Sequence, residues 1–162
     1  MKQKDVKYCV AVVLRSGHRM HEYLAVRRPE DDVDLGGNWG LPAVTLRPDE
    51  SPEDGARRVC TEKLGCKAEP IRFLGAMHQV RNRYDIVLMD IEMILVSTTQ
   101  PDVSQAQTTA TAYVAQKWSA DPKELLPSAR HGSCCSSIFL QDQGLLKRED
   151  WTLSLAGSLL VG

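Results

Sequence analysis

The sequence predicts an α/β protein, and three observations carry that reading. Between Leu41 and Cys66 the run LPAVTLRPDESPEDGARRVCTEKLGC holds a turn-rich lead-in, a capped helix and a helix-ending glycine. Runs rich in β-branched and apolar residues flank it, Val6 to Arg15 and Tyr23 to Arg28 before, Pro70 to Val80 and Tyr84 to Ser97 after. A second helical stretch, Ser133 to Leu146, comes late in the chain. At 162 residues and 18.0 kDa, one domain spanning 1–162 is expected. A chain of that size buries roughly two-thirds of its unfolded surface without metal or disulfide staples.

The central helix is marked at both ends. Ser51 caps it, Pro52 suits a first turn that has no use for its missing N–H, and Glu53 and Asp54 favour the positive end of the helix dipole. Ala56, Cys60 and Leu64 recur at i, i+4 and i+8 as one apolar stripe, and Gly65 supplies a left-handed C-cap. Arg58, Val59, Glu62 and Lys63 are left for the solvent side.

In that register the segment resembles the signature of the Nudix hydrolases, Gx5Ex7REUxEExGU with U aliphatic. Aligned on Gly65, Val44 takes the first glycine, Glu50 the loop glutamate, Arg58 the arginine, Cys60 the aliphatic position and Glu62 the first of the paired glutamates. Val59 and Lys63 stand where the family has its two other helix carboxylates. Trp39, Leu41 and Pro42 resemble the family's W-x-LPGG lead-in, with Ala43 and Val44 for its glycines. The resemblance implies a Nudix-like α/β/α sandwich with a mixed β-sheet between helices. It also implies that helix glutamates hold Mg²⁺ or Mn²⁺, which bridge a diphosphate and activate a water, while Glu50 and Arg58 pair to fix loop to helix. Positions 59 and 63 share one helical face. A valine and a charged lysine there offer no metal ligand, so Mg or Mn is expected to bind weakly if at all.

Taken in order, Val6 to Arg15 reads as a central buried strand ending at Ser16-Gly17. His18 and His21 lie in the following turn with no third metal ligand nearby, so they take no site. Arg27 and Arg28 end the second strand, where they either meet a ligand's phosphate or counter the acidic run Glu30, Asp31, Asp32 and Asp34. Trp39 either stacks on a base or packs against the sheet, and its place beside Leu41-Pro42 favours packing.

After the helix, Arg81-Asn82-Arg83 joins two strands as a hairpin-like turn. Asp90 and Glu92 interrupt the second at i and i+2 and so point to one face. By resemblance one of them completes the metal site or serves as base; the plain alternative is solvent or a partner such as Arg72. The stretch 98–111 is polar and reads as a loop. Tyr113 to Trp118 reads as a strand, and the run from Trp118 to Leu125 is similar to the family's tryptophan followed by a helical turn. In the last helix Ile138, Leu145, Cys134 and Cys135 are expected inward, and Trp151 to Val161 is an apolar tail in need of a surface.

A formal net charge of -1 with both signs interspersed excludes long nucleic acid as a partner. No apolar run reaches the roughly 18 residues of a membrane span, and MKQKD is not a signal peptide. Five cysteines without a CxxC pair fit reduced core residues, so a cytoplasmic protein is expected.

Three functions follow. The first is a Nudix-fold protein that binds a small nucleotide-diphosphate ligand, with hydrolysis weakened or lost. The second is an active metal-dependent pyrophosphohydrolase using Glu62, Glu50 and Asp90 or Glu92. The third is a partner-binding scaffold. Assembly as a homodimer is left open.

Overall fold

Two of the apolar runs pair side by side and become the middle of a sheet. The computed structural model describes residues 5–31, 36–106, 113–147 and, for the backbone, 159–161. Strand β1, Asp5–Arg15, runs parallel to β6, Tyr84–Leu95, and β6 runs antiparallel to β5, Ala68–Gln79. With β4, Ala43–Thr45, and β8, Leu159–Val161, they make a mixed sheet in the order β4-β1-β6-β5-β8. Strands β2, Tyr23–Arg27, β3, Trp39–Gly40, and β7, Ala115–Ser119, form a second sheet, β3-β2-β7.

Strand parity sends alternate residues of β1 into two cores. Val10, Val12 and Leu14 meet Ala56, Val59, Cys60 and Leu64 of the central helix. Cys9, Ala11 and Val13 share the other core with Cys135, Ile138, Phe139 and Leu140 of the late helix. One helix therefore covers each face, which is the expected sandwich. Gly55 permits the close approach on the first face, since a Cβ there would stand 2.3 Å from Leu46 Cδ2 and 3.1 Å from Val10 Cγ1.

The central helix departs from expectation halfway along. Ser51 caps it by accepting from the Asp54 N–H at 3.1 Å, and α1 spans Pro52–Arg58. From Val59 to Lys63 the turn widens to a π-helix before Gly65 closes it at φ 63°. Val59, at i+3 from Ala56, and Lys63, at i+7, lie beside the Ala56, Cys60 and Leu64 stripe already at 3.6 residues per turn. Val59 is wholly buried and Lys63 is only 6% exposed, so neither lies on the solvent side, where they were expected.

Elsewhere, smaller differences appear. A 3-10 turn over Pro122–Leu125 leads into α2, Leu126–Arg130, and α3 spans Cys134–Asp142 with Ser133 as its cap. Cys134, Cys135 and Ile138 are inward as expected. Leu145 is 38% exposed, because the helix has already ended at Asp142 and Leu146 packs instead. The described part of the polar stretch, up to 106, is tied down: the Asp102 N–H donates to the Leu64 carbonyl at 2.8 Å, and Gln116 bonds both Val103 N and Pro101 O at 2.6 Å. Asp32, Asp34, the stretch 107–112 and most of the apolar tail lie outside the described residues. The tail's 159–161 pairs with Ala76–His78 of β5.

Candidate functional site

The loop before α1 is built to present Glu50. The Arg47 N–H donates to Glu50 Oε1 at 3.1 Å, and Asp49 takes a left-handed φ of 65° to turn the chain between them. Arg58, the last residue of α1, donates from Nε to Glu50 Oε2 and from Nη2 to Oε1, both at 2.9 Å. This is the bidentate fork that an arginine and a carboxylate make best. The same guanidinium reaches the Thr45 carbonyl at 2.8 Å and Glu62 Oε2 at 3.2 Å, while Arg47 takes Glu62 Oε1 at 3.1 Å. Arg58, helped by the Arg47 N–H, holds the Glu50 carboxyl below the usual carboxylate range, and Glu50 in turn pushes Arg58 up. Loop and helix are thus stitched by one arginine.

Lys63 is the other fixed charge. Its Nζ donates to the Ala43 carbonyl at 2.6 Å, lies 3.5 Å from the Tyr113 hydroxyl and sits 5.0 Å from the centre of that ring. The Ala43 N–H donates to the same hydroxyl at 2.9 Å. Burial first, then the charges of Arg28 and Arg58, push the ammonium down to about 8. It stays mostly protonated at pH 7.

The two strand acids lie elsewhere. Asp90 pairs with Ala11 and Glu92 with Val13 across β1, which puts both on the α3 face, with the sheet between them and Glu62. Their expected part in a site with Glu62 and Glu50 is not what the geometry assembles. Glu92 accepts from Arg15 Nε at 3.0 Å and from Arg72 Nε at 3.5 Å, the partner foreseen as the plain alternative. Asp90 is wholly buried and neither oxygen has a hydrogen-bond partner. Burial pushes its carboxyl well above the usual range, and Cys135 and Asp142 add to the shift.

The strand-end arginines divide in the same way. Arg28 acts on Lys63, whereas Arg27 lies over Trp39, 5.8 Å from the ring centre. Lys117 also stands over that ring, at 4.4 Å, and Trp39 packs against the α3-side core, so the ring is held by packing and by two cations. Arg47, Tyr113 and Lys117 escaped sequence reasoning. Arg47 had one local signal, its place three residues before Glu50; Lys117 meets Trp39 through the pairing of the second sheet, and Tyr113, just before β7, meets Ala43 of the other sheet only through tertiary packing.

Do these residues suit the divalent ion that the signature implies? They do not. Both oxygens of Glu50 and of Glu62 are taken by arginine, Val59 faces the core, and an ammonium sits on the Ala43 carbonyl. Among the described residues no three His, Cys, Asp or Glu side chains are grouped to hold an ion. What the arrangement offers instead is a loop–helix junction whose arginine donors are paired with Glu50, Glu62 and the Thr45 carbonyl.

A sheet between helices and an arginine-stitched loop–helix segment define a Nudix-fold domain. The sequence model of the NUDIX domain matches residues 6–129, and the chain belongs to that family. Among solved structures it is similar to the MutT protein of Methanosarcina mazei Go1, at 19% identity over 89% of this chain and 97% of that one, TM-score 0.62. The ORF135 protein of E. coli gives 22% identity, 76% and 79% coverage and TM-score 0.59. A MutT NUDIX hydrolase from Burkholderia pseudomallei gives 19%, 72% and 84%, and 0.55. At such identities the likeness is one of fold. No curated protein matches the sequence.

Proposed function

We propose that this protein binds a small molecule carrying a nucleoside diphosphate, and that its capacity for hydrolysis is weakened or lost. The observation that supports this most is the fate of the two substituted positions. Val59 is core, and Lys63 is a buried cation bonded to the Ala43 carbonyl, so the helix brings one carboxylate, Glu62, where the signature brings three. That one is already shared by Arg47 and Arg58. Five free cysteines, all buried, accord with work in the reducing cytoplasm. Among the described residues no helix is long and apolar enough to cross a membrane.

The test is a panel of ADP-ribose and nucleoside triphosphates, with turnover followed in Mn²⁺ and Mg²⁺ and binding followed by calorimetry. Measurable binding is expected, with turnover about two orders of magnitude or more below the ~10 s⁻¹ typical of enzymes. Glu62→Gln should lower any residual rate further. Ordinary turnover in wild type, abolished in Glu62→Gln, would replace this reading by an active metal-dependent hydrolase. Absence of binding to every member of the panel would leave a scaffold.

A further inference from the structure

We propose that Lys63 itself supplies the positive charge on which the ligand's diphosphate rests, so that binding needs no divalent ion. The inference builds on the function proposed above. It starts from the mismatch between this donor set and a metal. At the position where the signature has a metal-binding glutamate, the chain carries a cation of its own. Its Nζ is fixed 2.6 Å from the Ala43 carbonyl, beside the Tyr113 hydroxyl.

An ammonium has three donors and these contacts occupy two, the longer of them weakly at 3.5 Å. Lysine is a compact point charge and a common phosphate binder. This one is already desolvated, at 6% exposure, so much of the cost of stripping water from it has been met in folding. Glu62, the acid of the same helix, is itself held by Arg47 and Arg58, and an oxyanion at Lys63 Nζ supplies the ammonium with a counter-charge of its own. A divalent cation there would meet an ammonium instead of a carboxylate and would be repelled.

The experiment is calorimetry of ADP-ribose and of inorganic pyrophosphate against wild type, once in EDTA and once in Mn²⁺. The expected result is binding in EDTA with Kd changed about threefold or less by Mn²⁺. Lys63→Met, which keeps length and removes charge, should weaken binding in EDTA by about tenfold or more, the worth of one charged hydrogen bond. Lys63→Glu should abolish it in EDTA and recover it with Mn²⁺. Wild-type binding that appears only with Mn²⁺ overturns the inference and leaves the proposed function standing. Binding in neither arm defeats the proposed function and the inference with it. The wild-type arms need no variant, so they decide the matter even if Lys63→Met fails to fold. A folded Lys63→Met with unchanged affinity in EDTA overturns the inference as well, since it would make Lys63 a purely structural tether.

Discussion

Two pairs of acidic residues lie on opposite faces of one sheet, and the protein treats them differently. On the α1 side Glu50 and Glu62 sit at a half-open junction, and every carboxylate oxygen there meets an arginine or a backbone N–H. On the α3 side Glu92 has two arginines, but Asp90, two residues away on the same strand and the same face, has no hydrogen-bond partner. Acids near the surface are met by charged partners; at the sheet centre burial pushes an unpartnered acid toward its neutral form. Chemical type is common to all four, so it is environment that separates a half-open junction from a core.

The comparison can be broken most severely at Val59. Val59→Glu puts a carboxylate at a position with no exposure among Val10, Val12 and Cys60, and a loss of about 3 to 5 kcal/mol in urea unfolding is expected. A loss under about 1 kcal/mol, close to a routine surface change, would mean that position 59 can turn outward after all.

Next is the arginine that stitches the α1 side. Arg58→Ala removes the fork on Glu50 together with bonds to Thr45 and Glu62, and should cost about 2 kcal/mol. Arg57 is the control on the neighbouring position, exposed and paired with Asp54 and Glu69. Arg57→Ala should shift the melting temperature far less, and equal shifts for the two would dismiss the stitch.

Asp90 sharpens the other side through pH. Its folded pKa is raised, so the folded state holds a proton that the unfolded chain releases above about pH 4. Its contribution to stability is full below that value and is lost as pH rises toward the folded pKa. Asp90→Asn, neutral throughout, should remove this loss, and the variant's stability relative to wild type should grow from pH 4 to pH 8. Parallel wild-type and variant stability curves over that range would show Asp90 ionised in the fold. The smallest effect expected is that of Arg57→Ala itself, an exposed pair screened by solvent, for which melting in low and high salt is the measurement.

Much of this was legible in the chain. Ser51, Pro52 and Gly65 announce the central helix through backbone chemistry that acts within a turn, and the structure keeps each in its role. The Glu50–Arg58 pair followed from register with the signature, eight residues apart along one loop and helix. Strands β1, β5 and β6 lie within two residues of their apolar runs, and in β1 and β6 burial on both faces demands such runs. Two things were not read from the sequence. Val59 and Lys63 were set on the solvent side, although Val59 at i+3 and Lys63 at i+7 from Ala56 lie beside the Ala56, Cys60 and Leu64 stripe at 3.6 residues per turn, and the structure buries both. Period two put Asp90 and Glu92 on one face of a strand, but which helix that face would meet depended on the parallel register of β1 with β6, a pairing between residues some eighty positions apart. Local chemistry is written in neighbouring residues and can be read there. The side of a sheet, and the carbonyl and hydroxyl that a buried lysine meets, are settled only when distant segments pack.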